Sequence, residues 1–269
     1  MADRFSIIIP AYNEKQRLPR YLNSIRAHLS QNWGDNYEII IVDDGSDDDL
    51  REIVRRLSKH WPQLFLLRHA QKRGKGAAVR MGMLAATGEI LLFADADGAT
   101  PIEEERKLRA RIERGADVAI GSRLVSGPGL SSNRIWHRAV CGRLFAVLAR
   151  LFLALPIQDT QCGFKMFRRT AGLRLFQLCR EPGYLFDLEV LAWSQRLGYQ
   201  IAEVPVRWTD IPGSKVRLLS DGGTMLRGLW RLGMSLRMRG EQACQFGEVT
   251  EYKLAGTEAE PAGMITTQE

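Results

Sequence analysis

The 269-residue chain has only four cysteines, and no two of them stand at the spacing of a zinc site. We expect Cys141, Cys162, Cys179 and Cys244 to be reduced, partly buried thiols that form no disulfide framework. A G-x-G-x-x-G loop after the first predicted strand is also missing, which argues against a dehydrogenase. The chemistry therefore has to come from other residue types.

Long apolar runs are absent too, so no segment is predicted to cross a bilayer. The first four residues lead directly into a predicted strand, without the basic, apolar and cleavage regions of a secretory signal. We therefore expect a cytoplasmic protein. Its length and its 45% hydrophobic composition are enough for one substantial core.

Acidic residues are missing from two stretches of a chain whose net charge is +7. No carboxylate stands between Asp117 and Asp159, and Asp221 is the only acid between residues 211 and 240, whereas both stretches are rich in arginine. Such stretches are typical of surfaces that meet nucleic acid or an anionic membrane. Because neither zinc spacing nor an RRM-like aromatic signature is present, we expect no nucleic-acid partner.

Short, continuous apolar runs predict strands at residues 5–10, 37–42, 64–68, 89–94, 117–121 and 200–207. Continuous runs favour a sheet that is covered on both faces, which with right-handed crossovers gives a doubly wound, mostly parallel α/β layer. Helices are predicted at residues 101–114, 135–155 and 224–239, among others between the strands. We expect a single domain over residues 1–240, followed by a mobile acidic tail at 241–269.

Asp95, Ala96 and Asp97 directly follow the apolar run at residues 90–94. The carboxyl edge of an open α/β sheet is where ligands bind, so the two carboxylates are expected there. Oxygen ligands of this kind suit Mg²⁺ or Mn²⁺ bridged to a diphosphate. The alternative is a turn, because Asp97-Gly98 is turn chemistry and Thr100-Pro101 is suited to start a helix.

Two other strand ends carry acids that suit a nucleotide. Glu14 follows the first strand and Asp44 follows the second, where a carboxylate can accept from a ribose hydroxyl or a base N–H. The alternative for residues 43–49 is a helix N-cap with acids placed against the helix dipole.

Seven motifs stand along the chain in the order IIPAYNE, IVDDGS, RGKGAAVRMG, DADGATP, GSR, DTQCGFKMF and GSK. Taken together, they resemble the family-two inverting glycosyltransferases, which have the GT-A fold and carry such motifs in the same order. The likeness is strongest to the polyprenyl-phosphate group and, within it, to the dolichyl-phosphate β-glucosyltransferases. The resemblance implies a nucleotide-binding half at about residues 1–121 and an acceptor half at about 122–240.

The resemblance also implies roles for individual residues. Nucleoside contacts fall on Pro10, Tyr12, Glu14, Val42 and Asp44. Asp95 and Asp97 match the acids that hold the metal and diphosphate, with Ala96 between them at the nucleotide. Positions near the acceptor or diphosphate fall on Arg123, Asp159, Gln161, Lys165 and Lys215.

The reaction implied is transfer of glucose from UDP-glucose to a polyprenyl phosphate, with inversion. GDP-mannose or another nucleotide sugar, or a hydroxyl acceptor, are the alternatives. A phosphate acceptor is largely dianionic at neutral pH, so it needs positioning by arginine more than a base. We expect Arg123, Arg134 and Arg138 to hold it, whereas a hydroxyl acceptor would need Asp159 as base.

Two basic helical patterns, at residues 134–155 and 224–239, alternate apolar residues with arginine. An apolar face with cationic edges is typical of a helix that lies in the headgroup plane of a membrane. For the second helix we expect an apolar face made of Met225, Leu226, Leu229, Trp230, Leu232, Leu236 and Met238. The alternative is an ordinary core or oligomer helix.

Overall fold

The computed structural model describes residues 4–125, 153, 155–211 and 227–237. Within these residues the sheet has seven strands in the order β3-β2-β1-β4-β6-β5-β7. The strands are β1 (Phe5–Ala11), β2 (Tyr37–Asp43), β3 (Leu64–Arg68), β4 (Ile90–Ala94), β5 (Val118–Ser122), β6 (Phe164–Arg168) and β7 (Ile201–Pro205). The six predicted strands are confirmed, each to within two residues at either end.

Four of the six strand pairings are parallel, and only β6 runs against its neighbours β4 and β5. The predicted mostly parallel α/β sheet is therefore confirmed. Strands β1 and β2 are buried along their whole length, which explains why their sequences are continuous apolar runs.

Helices cover both faces of the sheet and divide the core in two. Ile7 and Ile9 of β1 belong to one apolar cluster, and Ile8 between them belongs to the other. The Ile7 face is covered by α1 (Leu18–Asn32), α2 (Leu50–Ser58) and α4 (Glu105–Glu113). The Ile8 face is covered by α3 (Lys75–Ala85), α5 (Arg169–Leu178), α6 (Phe186–Arg196) and α7 (residues 227–237).

Sequence reasoning did not predict β6, α5 and α6. The helix expected at residues 135–155 lies mostly outside the described residues, and the tail expected at 241–269 lies wholly outside them. The division into two halves near residue 121 stays a prediction. Cys162 and Cys179 are free and buried, as expected. Among the described helices, none has the length and apolarity needed to span a membrane.

Candidate functional site

The carboxyl ends of β1, β2 and β4 lie side by side, and the loops that follow them build one edge of the molecule. The loops after β1 and β2 are joined, because Asn13 N donates to Ser46 Oγ and Asp47 N donates to Asn13 Oδ1, both at 2.9 Å. Asn13 has a φ of 53°, a left-handed conformation that asparagine tolerates better than most residues. This edge carries the residues that the sequence assigned to the nucleotide.

Asp44 organises the loop that leads into α3. Its Oδ1 lies 2.8 Å from His69 Nδ1 and accepts from Arg73 N at 2.9 Å, while its Oδ2 accepts from Gly74 N at 2.8 Å. Gly74 has a φ of 109°, and a Cβ there would lie 2.4 Å from Pro182 O, so glycine is required. Asp44 therefore shapes the loop that carries Lys72 and Lys75, in addition to any contact with a nucleoside.

Tyr12 offers an aromatic surface beside this loop. The Lys72 ammonium lies over the Tyr12 ring, 4.0 Å from its centroid, at cation–π distance. Pro10 and Val42 are register partners in the sheet and are buried, so they contribute backbone and shape at this edge.

Asp95 is held in place from two sides. Its Oδ1 pairs with Lys75 Nζ at 2.7 Å, and its backbone N donates to Gly163 O at 3.0 Å. Burial lowers the pKa of Lys75, but Asp95 and then Asp187 more than offset this and leave the pKa above its ordinary value. Lys75 was not assigned a role from the sequence, although it lies inside the RGKG motif.

Asp97 is a second, largely buried carboxylate close to Asp95. Burial and then the charge of Asp95 raise the pKa of Asp97, so the ionised form is disfavoured by its surroundings. Its Oδ1 accepts from Ala99 N at 3.0 Å, the contact expected of a turn. The role of Asp97 as a metal ligand stays a prediction. Ala96 is packed into the core between the two acids.

Arg17 is a cation that sequence reasoning missed. Glu14 orients it, because Arg17 Nε donates to Glu14 Oε2 at 2.7 Å and Nη2 donates to Oε1 at 2.5 Å. Arg17 Nη1 is buried and has no hydrogen-bond partner in the described part of the chain. The hydrogen bond to Glu14 raises the pKa of Arg17, and burial lowers it. The charges of Glu14, Asp97 and Asp95 also raise it, so the pKa lies above its ordinary value.

Beneath these groups, Lys165 is 1% exposed and is already committed to the protein. Its ammonium donates to Cys162 O at 2.7 Å and forms an ion pair with Asp187. Any influence of Lys165 on a ligand would therefore act through Asp187, a buried acid whose pKa is raised by burial.

Arg123 and Asp159 form a buried pair at the end of β5. Arg123 Nε donates to Asp159 Oδ2 at 2.7 Å, Nη2 donates to Oδ1 at 2.8 Å, and the backbone N of Arg123 also donates to Oδ2. Burial raises the pKa of Asp159, but Arg123 more than offsets it and holds the pKa below its usual value. The Arg123 guanidinium also lies over the Trp208 ring, with its Cζ 5.5 Å from the ring centroid. Asp159 thus acts as the partner that orients Arg123.

This pair gives a prediction for stability. Arg123→Ala leaves a buried carboxylate unpaired, so we expect the free energy of unfolding at pH 7 to fall by about 3 kcal/mol. Because the folded pKa of Asp159 is depressed, its stabilising contribution is present above about pH 4 and is lost as the pH falls through the folded pKa. Urea unfolding at pH 7 and pH 3 should show the difference between wild type and variant shrinking in acid. An unchanged difference would contradict this role.

The remaining predicted residues divide into two groups. Gln161 lies half-buried in the turn before β6. Arg134, Arg138 and Lys215 lie outside the described residues, so their roles stay predictions. In the part of the chain that the structure describes, no three His, Cys, Asp or Glu side chains come together as a metal site. A cation here would thus have at most two acids from this part of the protein.

Gly163 is a further residue that sequence reasoning missed. A Cβ at this position would lie 1.9 Å from Asp95 Oδ2 and 2.3 Å from Asp95 Cγ. The carboxylate of Asp95 thus occupies the space that a side chain at residue 163 would take. No pattern within the local sequence signals this contact, because strand β6 brings it to Asp95 from far along the chain.

Comparison with known sequences gives a consistent result. The model of the family Glycosyl transferase family 2 matches residues 6–176. A dolichyl-phosphate beta-glucosyltransferase of Drosophila melanogaster is 41% identical over 223 residues, which cover 78% of this chain and 68% of that protein. Proteins of the same name from Saccharomyces cerevisiae and Homo sapiens are 35% and 32% identical, covering 83% and 87% of this chain and 72% and 80% of theirs.

Solved structures agree on the fold. Glucosyl-3-phosphoglycerate synthase from Mycobacterium tuberculosis, in complex with Mn²⁺, UDP and phosphoglyceric acid, superposes with a TM-score of 0.61 at 22% identity. The match covers 89% of this chain and 79% of that one. A complex of the same synthase with Mn²⁺ and UDP-glucose gives a TM-score of 0.62, with 92% and 81% covered.

Proposed function

The chain belongs to glycosyl transferase family 2, and from this premise we propose that it transfers glucose from UDP-glucose to the phosphate of a dolichyl-type polyprenyl lipid. The observation that carries this proposal is the edge of the sheet where Asp95, Asp97, Lys75 and Arg17 converge beside the loops after β1 and β2. An acceptor phosphate oxygen forms a bond to C1 of glucose, while the bond from C1 to the β-phosphate breaks and UDP leaves. Inversion at C1 gives a β-linked lipid-phosphate sugar.

The two acids fit a divalent cation. Burial and then the charge of Asp95 disfavour the ionised form of Asp97, and a cation between the two acids would offset both effects. Two acids with a diphosphate and water match the way Mg²⁺ and Mn²⁺ are commonly held next to phosphates. When bound, such an ion stabilises the negative charge that develops on the leaving diphosphate.

Arg17 and Lys75 supply positive charge from the protein itself. Arg17 presents a buried Nη1 without a partner among the described residues, and a phosphate oxygen would satisfy it. Lys75 already neutralises Asp95 and lies beside the Phe93 and Phe186 rings, which limit its exposure to water. We expect Arg17 to hold the diphosphate and Lys75 to keep the carboxylate of Asp95 in its working orientation.

The acceptor side centres on Arg123. Its Nε and Nη2 are used by Asp159, which leaves donors on Nη1 for an acceptor phosphate. A lipid acceptor would bring the phosphate to this site from a membrane surface, so we expect peripheral association with a bilayer. Burial lowers the pKa of Arg123, but its pairing with Asp159 and, to a smaller extent, the charges of Cys162 and Asp95 more than offset this and raise the pKa above its ordinary value.

The donor is tested by thermal unfolding with UDP and GDP. At a hundredfold excess over its dissociation constant, UDP should stabilise the protein by about 2.7 kcal/mol and raise its melting temperature by about 5 °C. GDP at the same concentration serves as the control and should give a much smaller shift. A larger shift with GDP would instead favour GDP-mannose as donor.

The reaction is tested by assaying pairs of donor and acceptor in the presence of Mg²⁺ or Mn²⁺. UDP-glucose with a polyprenyl phosphate is expected to give a polyprenyl-phosphate glucose, from which acid hydrolysis should release the sugar. No sugar-lipid from any nucleotide sugar would overturn the proposal.

A further inference from the structure

Helix α7 separates its residues sharply between core and surface. Leu229, Leu232 and Leu236 are each less than 5% exposed and pack into the core cluster on the α3 side of the sheet. These leucines were expected on a lipid-facing surface, and that expectation is wrong because the same residues close the core. The opposite face exposes a different set: Arg227, Trp230, Arg231, Met234 and Arg237.

This exposed set, which we call the α7 outer face, has an unusual composition. Trp230 is 59% exposed and Met234 is 42% exposed, and their spacing of four residues places them one above the other on the helix. Three arginines surround them, and the described helix carries no acid. An exposed tryptophan and methionine ringed by arginine combine apolar area with positive charge on one surface.

The α7 outer face adjoins the candidate site through the loop at residues 181–185. A Cβ at Gly228 would lie 2.5 Å from Leu185 Cδ1, so the helix rests directly on this loop. The same loop presses on the start of α3, where a Cβ at Gly76 would lie 2.4 Å from Glu181 O. Next to Gly76, Lys75 reaches Asp95 at 2.7 Å.

Tyr184 stands in this loop, between the residues that contact α3 and the residue that contacts α7. It is 49% exposed. Tyr184, Trp230 and Met234 are the three large apolar side chains that stand exposed among the described residues. Tyr184 lies in the loop at residues 181–185, and the other two lie on α7, which contacts that loop at Leu185.

We infer that the α7 outer face, together with Tyr184, is the surface that rests on an anionic lipid bilayer. Tryptophan and tyrosine favour the bilayer interface, and arginine keeps its charged head at the level of the lipid phosphates. A bilayer in contact with this face would lie next to the loop at residues 181–185, which contacts the start of α3 at Gly76. This inference rests on the proposed function for the identity of the acceptor, but not for the contact itself.

Charge complementarity favours a bilayer over a second protein. Arg231 is 72% exposed on its side chain and pairs only loosely with Glu181, at 3.5 Å, so most of the positive charge on this face is available to solvent. Anionic lipid headgroups form a continuous surface that can contact all three arginines at once. A single acidic side chain on a protein partner can contact only one or two of them.

The test measures binding of the full chain to lipid vesicles by flotation, for the wild type and for two double-substitution variants. Arg227→Gln with Arg237→Gln should weaken binding to mixed phosphatidylglycerol and phosphatidylcholine vesicles by about twenty-five-fold, at about fivefold for each arginine. Trp230→Ala with Met234→Ala should weaken it by on the order of tenfold through loss of buried apolar area. Wild type should bind pure phosphatidylcholine vesicles much less tightly and should lose affinity as salt is raised.

Matched controls separate this surface from charge in general and from catalysis. Arg51→Gln with Arg56→Gln removes two arginines from α2, on the opposite face of the sheet, and should leave vesicle binding unchanged. Transfer to a short isoprenyl phosphate that dissolves in water should stay at the wild-type rate in the α7 variants, while transfer to a long-chain lipid in vesicles falls with binding.

Three results would overturn the inference: vesicle binding equal to wild type in both α7 variants, equal loss in the α2 control, or a change in oligomeric state with vesicle binding intact. The last result would identify the face as a protein interface. Failure of the proposed function is recognised separately, because wild type would then glucosylate neither the soluble nor the vesicle acceptor, while flotation still decides the surface.

Discussion

Replacing Asp97 by asparagine is expected to reduce glucosyl transfer by at least about a thousandfold while the protein still folds. The variant keeps the bond to Ala99 N, because an amide oxygen can accept where Asp97 Oδ1 accepts now. It removes the charge that burial and Asp95 disfavour, so the melting temperature is expected to be equal to or above that of wild type. Loss of activity with retained stability would show that Asp97 is needed for the reaction and not for folding.

The measurement combines steady-state transfer with binding of Mn²⁺ in the presence of UDP, which should be lost in Asp97→Asn. Asp35→Asn is the matched control, since Asp35 is exposed and lies at the other end of β2. A well-folded Asp97→Asn protein that retains a tenth or more of the wild-type rate would refute the assignment.

Replacing Gly163 by alanine is the second change with a large expected effect. The new Cβ would lie 1.9 Å from Asp95 Oδ2, so the carboxylate has to leave its position or the strand has to shift. A displacement of about 1 Å at a reacting centre costs roughly a hundredfold in rate, and we expect a loss of at least this size. Overpacking should also lower the free energy of unfolding by about 1–3 kcal/mol.

Gly183→Ala provides the control for Gly163→Ala. A Cβ at Gly183 would meet only the end of the Glu181 side chain, at 3.1 Å, and that chain can turn aside. Its kinetics and stability should stay close to wild type. If Gly163→Ala has wild-type kinetics, Gly163 does not position Asp95.

The sequence predicted those parts of the fold and the site that local patterns encode. The run that ends at Asp95 is a buried strand, and the acids do follow it at the edge of the sheet. The family, the α/β class and the six predicted strands rest on such patterns and motifs. Roles for Asp44 and Glu14 were also assigned from their positions, but their actual contacts, with the loop at residues 69–74 and with Arg17, depend on tertiary structure.

The parts that were missed depend on contacts between distant segments. Strand β6 carries Lys165 as its second residue, and a charged residue at a fully buried strand position is tolerated only because Asp187 on α6 pairs with it. The roles of Lys75, Arg17 and Gly163 likewise require knowing which segments lie beside Asp95. For α7, the pattern predicted an amphipathic helix but not which of its faces meets the core.

The reversed strand β6 has a consequence for how the chain is made. Strands β3, β2, β1 and β4 are complete once the ribosome has released about the first third of the chain, and their pairings need nothing that follows. Strand β5 emerges next but finds no neighbour, because it pairs only with β6 and β7, which are synthesised later. Until residues 164–168 arrive, the nascent protein carries an open edge on β4, and a product truncated before that point would offer this edge to other chains.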